Sequence, residues 1–335
     1  MAKIYNSEGW VNWPYIIDQG CAFNMIVGAR GTGKTYGLML ELIKRNEPFI
    51  YLRRLKTQID SCGKVSGNPF KRINMDTGKN ILPFSVGGNI EFREDDKTGK
   101  MIAVGVALST VATVRGIDFS DFRYIVFDEA IAMIGEKPIR NEFEAFLNFY
   151  ETANRNREIL GENPVQVFLL GNANKLSNPY FTGWHFMKTA LKMLRGKQMV
   201  YRTQDKTRLM IMLQDSPISR MKAETAVYKN ASEGFLAMAI ENEFRTDETN
   251  VHPEPLKEYN HLVSIGEIGI YRHKSERKYY VSSKVQTPYY DDFGIQLRMF
   301  RNDFIMLRVH YLIAKNVIFE DYESELLFRE YFELN

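Results

Sequence analysis

Cysteine is scarce in this chain: Cys21 and Cys62 are its two cysteines in 335 residues, and they form no C-x-x-C pair. Neither a disulfide framework nor a zinc site is indicated, and a reducing compartment is the expectation. No apolar run approaches the roughly 18 residues that a membrane-spanning helix needs, and the opening MAKIYNSEGW carries no apolar leader. A cytosolic protein with no membrane partner is expected. Charge of one sign is also lacking, since 44 Lys and Arg against 41 Asp and Glu leave a formal net charge of +3. That balance is compatible with nucleic acid without requiring it, and any basic surface has to be local. No internal repeat or low-complexity tract is visible.

What is present is a globular composition, 44% hydrophobic and 25% charged, at a length that suits two domains. Phe23–Val27 reads as a buried strand, 28–35 as a glycine-rich loop, Thr35–Arg45 as a helix and Phe49–Leu52 as a second strand, together one βαβ unit. Ile81–Phe84, Asn89–Arg93 and Met101–Leu108 read as a small β insertion. Tyr124–Phe127 and Val165–Leu170 add two buried strands around a helix at Asn141–Thr152, whose Phe143, Phe146, Leu147 and Tyr150 form one apolar stripe. The expected organisation is an α/β domain over 1–202 with a mostly parallel sheet, a linker over 203–230, and a smaller α+β domain over 231–335. In the latter, a strand or helix at Phe235–Ile240, a hairpin (Leu262–Tyr271 with Lys278–Val285) and helices at Phe293–Asn316 and Tyr322–Phe332 are expected.

The loop Gly28-Ala29-Arg30-Gly31-Thr32-Gly33-Lys34-Thr35 satisfies G-x-x-x-x-G-K-[ST] between a strand and a helix, the context that motif requires. Glycines let successive backbone N–H groups turn toward phosphates, and the helix N-terminus adds its positive end. Lys34 is expected to reach the β and γ phosphates of ATP, and Thr35 to ligate Mg²⁺. Asp128, ending an apolar strand, is expected to hold the same Mg²⁺, while the adjacent Glu129 polarises the attacking water. This is the pattern of a P-loop NTPase of the ASCE/RecA-like kind.

Other residues carry less by themselves. Arg155 and Arg157 follow the amphipathic helix, where a solvated helix end explains them as well as an arginine that reaches a neighbour's γ-phosphate. Arg115 is a second trans-acting candidate or a plain loop arginine. Asn172 is a γ-phosphate or water sensor or a turn residue. The cluster Arg53-Arg54-Leu55-Lys56 leaves the second strand on the nucleotide face and reads as the lining of a nucleic-acid channel, a nucleotide sensor or a solvated loop; with the segment Ile131–Arg140 it makes Arg54, Lys56, Lys137 and Arg140 the candidates for DNA contact, sequence-independent and salt-sensitive. Glu241, Glu243, Glu267, Asp291 and Asp292 read as solvated acids, since none makes a spaced pair that demands two metals.

On Phe23–Arg54, Asp128-Glu129, Arg155-Asn156-Arg157-Glu158, Gly171-Asn172-Ala173 and Asn178-Pro179-Tyr180-Phe181, the chain resembles the DNA-packaging ATPases of phi29-like bacteriophages. The resemblance implies that Lys34 and Thr35 bind nucleotide and Mg²⁺, that Asp128 and Glu129 are the Walker B pair, and that Arg155 is a trans-acting arginine finger. Arg115 stands where the family has a basic trans-acting residue. It further implies a homopentameric ring on the portal of a procapsid in the host cytoplasm, absent from the mature virion, that drives double-stranded DNA inward. The C-terminal domain is implied to resemble a vestigial RNase H-like nuclease. Whether a packaging RNA is bound is left open, as are two other readings: a terminase with an active nuclease, and a nucleotide switch or assembly factor.

Overall fold

A computed structural model describes residues 4–113, 118–133, 136–172, 178–214, 216–218, 221, 225–230 and 251–334. The chain divides into two compact units, residues 1–174 with 193–244, and residues 175–192 with 245–335. Among the described residues no helix is long and apolar enough to cross a membrane.

The first unit is built on a nine-stranded sheet in the order β3-β4-β5-β2-β6-β7-β1-β9-β8. The strands are β1 (Phe23–Gly28), β2 (Phe49–Arg53), β3 (Ile81–Val86), β4 (Asn89–Glu94), β5 (Met101–Ala107), β6 (Tyr124–Asp128), β7 (Gln166–Gly171), β8 (Val200–Arg202) and β9 (Arg208–Leu213). The central pairings from β5 through β9 are parallel, and antiparallel strands extend both edges. Strands with continuous apolar runs occupy the middle because both of their faces are covered. Helices α1 (Trp13–Ile17), α2 (Lys34–Lys44), α3 (Lys56–Cys62), α4 (Lys71–Thr77) and α5 (Glu142–Asn154) belong to the same unit. Trp13 of α1 meets Phe168 of β7 edge-on at 5.9 Å, and Phe146 of α5 stacks on Phe127 of β6 at 6.0 Å. The buried stripe of α5 is Phe146, Phe149 and Ala153; Leu147, expected in the stripe, is exposed.

Three expectations about the first unit change. The β insertion is no separate element, because β5 pairs in parallel with β2 and carries β3 and β4 as an extension of the main sheet. The linker expected from residue 203 starts inside the sheet: Leu209–Leu213 is a buried strand in register with β1 over its whole length. Residues 175–192, expected in the first domain, group with the second unit.

The second unit contains a five-stranded sheet, β13-β10-β11-β12-β14, formed by β10 (Tyr259–Ile265), β11 (Ile268–His273), β12 (Tyr279–Ser282), β13 (Tyr289–Tyr290) and β14 (Val317–Phe319). The expected hairpin is therefore a three-stranded antiparallel meander, because Gly266, at φ +50°, turns the chain inside what reads as one apolar run. The single helix expected over Phe293–Asn316 is broken into Gly294–Asp303 and Ile305–Val309 with a π turn at His310–Ala314. The break is at Phe304, whose ring packs on Phe300 and Tyr290. The expected element at Phe235–Ile240 lies outside the described residues, as do Glu241 and Glu243. Glu267 and Asp292 are not solvated acids. Lys188 and His185 flank Glu267, and His185 first, then Lys188, hold its carboxyl down at about 2. Asp292 accepts from the Tyr331 hydroxyl at 3.0 Å. Among the described residues, no three His, Cys, Asp or Glu side chains are grouped to hold a metal.

One charged group is sealed in the first unit. Arg54 is 1% exposed and donates from Nε and Nη2 to the two oxygens of Glu142, both at 2.7 Å. Glu136 adds an ion pair at 3.0 Å. The bidentate pair ties the end of β2 to the first turn of α5, where a carboxylate also suits the helix dipole. This removes Arg54 from the residues able to meet DNA. Arg54→Met is expected to cost about 3–5 kcal/mol of stability by leaving buried carboxylates unpaired, against under about 1 kcal/mol for Lys56→Ala. Urea unfolding followed by circular dichroism checks the contrast.

Candidate active site

Four parallel strands, β2, β6, β7 and β1, lie side by side, and their C-terminal ends share one edge of the sheet. In open α/β sheets this edge is where ligands bind. It brings together Arg53, Asp128 with Glu129, Asn172, and the loop 28–35. β7 runs between β1 and β6, so the loop and the acidic pair approach from either side of it.

Within the loop, Gly31 and Gly33 have φ of +68° and +80°, conformations that side chains resist. Ala29 and Thr32 are buried, Thr32 donating to the Ala29 carbonyl at 3.2 Å, while Arg30 is exposed with its guanidinium 2.8 Å from the Met133 sulfur. Lys34 is buried, and its ammonium fills the hollow of the loop, donating to the carbonyls of Gly28 (2.8 Å) and Ala29 (2.7 Å) and to Asn172 Oδ1 (3.2 Å). Asn172, read from sequence as a sensor or a turn residue, thus lies against the loop lysine.

Thr35, in the first turn of α2, donates to Asp128 Oδ1 at 2.6 Å. The other oxygen, Oδ2, accepts from Tyr51 and from Arg53 Nη1, each at 2.8 Å. Burial and the Asp128 carboxylate push the Tyr51 hydroxyl well above its usual range, so it stays a donor. Arg53 Nη2 then reaches Glu129 Oε2 at 2.5 Å. Glu129 itself sits at φ +53°, a left-handed conformation uncommon for a residue with a side chain. Arg53 thus bridges the two members of the acidic pair, one guanidinium nitrogen to each. Sequence reasoning placed Arg53 in a basic cluster and missed this role. The signal lies in strand order, since β2 is the neighbour of β6.

The remaining candidates divide. Arg155 follows α5 at φ +49° and is exposed, pairing with the exposed Asp118 at 3.1 Å. Arg157 turns inward, donating to the carbonyls of Ser120 and Phe122 and pairing with Glu162 at 3.3 Å. It is a structural arginine here and leaves the list of sensors. Lys137 and Arg140 are exposed, and Lys56 pairs with Asp60 within α3. Arg115 lies outside the described residues.

Residues 9–293 match the family described as podovirus DNA encapsidation protein (Gp16). The chain belongs to this family. It is 31% identical over 185 residues to the DNA packaging protein of Bacillus phage phi29, covering 53% of this chain and 48% of that protein. With the DNA packaging protein of Bacillus phage B103 the identity is 33% over 163 residues, 47% of this chain and 46% of the other. The chain thus spans about half the length of the curated relatives it matches. Among solved structures, the Phi-28 gp11 DNA packaging motor is similar at a TM-score of 0.64 and 20% identity over 98% of this chain and 99% of that one. The bacteriophage Phi-29 viral genome packaging motor assembly is similar at 0.58 and 19%, over 98% and 100%. At these identities the likeness is one of fold: a mixed α/β chain with a large, mostly parallel sheet.

Arg53→Leu is expected to lower stability by about 3 kcal/mol, because two carboxylates lose their shared cation. On an Asp128→Asn, Glu129→Gln background the same change should cost little. A double-mutant cycle by denaturant titration reads the coupling, and equal costs on both backgrounds would mean that the guanidinium acts through packing alone.

Proposed function

We propose that this chain is a subunit of an ATP-hydrolysing ring motor that drives double-stranded DNA into a procapsid. The observation that carries the reading is the convergence of Lys34, Thr35, Asp128 and Glu129 at the C-terminal edge of a parallel sheet, in a member of the encapsidation family. The strand between β1 and β6 and the glutamate beside the aspartate are the two features for which the ASCE class of P-loop NTPases is named.

In this reading the backbone N–H groups of residues 28–35 and the start of α2 receive the phosphates, and Lys34 exchanges its carbonyl partners for β and γ oxygens. The donor set fits Mg²⁺: a hydroxyl and a carboxylate 2.6 Å apart suit a hard cation that keeps several waters and takes its other ligands from phosphate. Thr35 and Asp128 would hold it, and when bound it neutralises charge on the phosphate oxygens. Glu129, released from Arg53, takes the proton of the attacking water, and Asn172 is placed to orient the γ-phosphate or that water. Arg155, projecting from its own subunit, serves the site of a neighbour, where a cation on the transferring group is worth about 10³–10⁵ in rate.

Glu129→Gln is expected to keep nucleotide binding and lose hydrolysis by about 100-fold or more, whereas Lys34→Ala loses binding. Arg155→Ala should bind ATP without turning it over. Mixing Arg155→Ala with Lys34→Ala chains should restore part of the activity at mixed interfaces, and complete failure of that rescue would argue against action in trans.

Lys56, Lys137 and Arg140 are the proposed grip on the DNA backbone, with Arg115 a second trans-acting candidate. A homopentamer at the portal vertex, in the host cytoplasm, is the assembly in which this works, and a packaging RNA is compatible with it. The second unit is read as a nuclease-like domain without activity. DNA-stimulated hydrolysis should weaken with salt, and removing Lys137 and Arg140 should reduce the salt slope by about one per lost phosphate contact. A slope unchanged by both substitutions would place the DNA elsewhere.

A further inference from the structure

Trp10 is 39% exposed although the segment that bears it is firmly built. Asn6 Oδ1 accepts from the backbone N–H of Glu8 at 3.1 Å and of Trp10 at 2.9 Å, and the Asn6 N–H donates to the Trp10 carbonyl at 2.8 Å. Gly9, at φ +86°, lies so close to Pro217 that a Cβ there would fall 2.8 Å from it. The backbone that carries the indole is therefore held in place. That place is the rim of the loop 28–35: a Cβ on Gly33 would fall 2.9 Å from Trp10 Cε3 and 3.5 Å from Cζ3.

Further along α2, Gly37 makes the same room for Trp13, whose Nε1 would be 2.7 Å from a Cβ there. The comparison is informative because the two indoles lie against glycines at the start of α2 and have opposite surroundings. Trp13 is 2% exposed and belongs to the core, whereas Trp10 closes nothing and presents ring surface to solvent. A single exposed aromatic needs no explanation by itself. One fixed against the last glycine of a phosphate-binding loop has a neighbour to serve. Lys34, Asn172 and Asp128 mark where terminal phosphates end, and these groups are buried or half-buried. The rest of a nucleotide has to run from them toward solvent, past the start of α2.

We propose that the exposed face of Trp10 is the platform on which the base of the bound nucleotide stacks. This rests on the reading of residues 28–35 as the phosphate site and adds what that loop lacks, a surface for the nucleoside. Stacking recognises a π face and no hydrogen-bond pattern, so it favours purines over pyrimidines by ring area while separating adenine from guanine weakly.

Binding of a non-hydrolysed ATP analogue and of inorganic tripolyphosphate, each with Mg²⁺, to the full chain and its W10A and W10F variants tests this by calorimetry. W10A is expected to weaken the ATP analogue by roughly 10–100-fold while leaving tripolyphosphate within about twofold, and W10F to recover most of the loss. The preference for the ATP analogue over its UTP counterpart should shrink in W10A. If W10A binds the ATP analogue as the wild type does, or loses both ligands equally, the platform is overturned, the second result marking Trp10 as packing for Gly33. A wild-type chain that binds neither ligand overturns the phosphate-site reading itself, and this inference with it.

Discussion

Both oxygens of Asp128 are engaged, and the candidate site is organised by that fact. Oδ1 takes the hydroxyl of Thr35 from α2, and Oδ2 takes Tyr51 and Arg53 from β2. In the sheet β2 and β1 are separated by β6 and β7, so one carboxylate links elements that the strand order keeps apart. Arg53 extends the link to Glu129, which leaves the acidic pair matched by a guanidinium within hydrogen-bond distance. In a half-buried place unpaired carboxylates are costly, and a cation arriving with phosphate would compete for the same oxygens. In the proposed mechanism the resting and loaded arrangements would differ by which cation the acids face, and Glu129 would gain its freedom as Arg53 lost its hold.

How much of this was legible in the sequence follows from how local each signal is. The loop 28–35 and the run into Asp128-Glu129 announce themselves because residue types, spacing and flanking strand and helix all sit within a few positions. Arg53 and Arg54 do not. They read as one basic cluster with Lys56, yet in an extended strand neighbours point to opposite sides. Arg53 faces the acids and Arg54 enters the core against Glu142, 88 positions on. Nothing local distinguishes them; the order of β2 beside β6 and the packing of α5 do.

Longer-range pairing explains the other misses. Leu209–Leu213 is an apolar run short enough to pass for part of a linker, and it becomes a buried strand of the sheet through its register with β1, far earlier in the chain. The turn at Gly266-Glu267 interrupts an apolar run with a single pair of residues, so β10 and β11 read as one strand. In the same way Trp10 looks like any aromatic near an N-terminus until Gly33 is found beneath its ring.

The loop after α5 shows why two arginines in one motif have different work. Asn154 accepts the Val165 N–H at 2.8 Å and donates to Glu158 at 3.1 Å, closing the loop on the entry to β7. Arg157, almost fully buried, fastens the same loop to the carbonyls of Ser120 and Phe122. Arg155, between these anchors, is thrown outward with φ at +49°, a strained backbone that the anchors on either side enforce. Its pair with Asp118 is exposed on both sides and screened by solvent, so it holds the side chain loosely. For the role in trans proposed above, a rigid base and a weak tether at home would both serve the side chain. The motif has both: its buried members make the base, and its strained one is held only by an exposed pair.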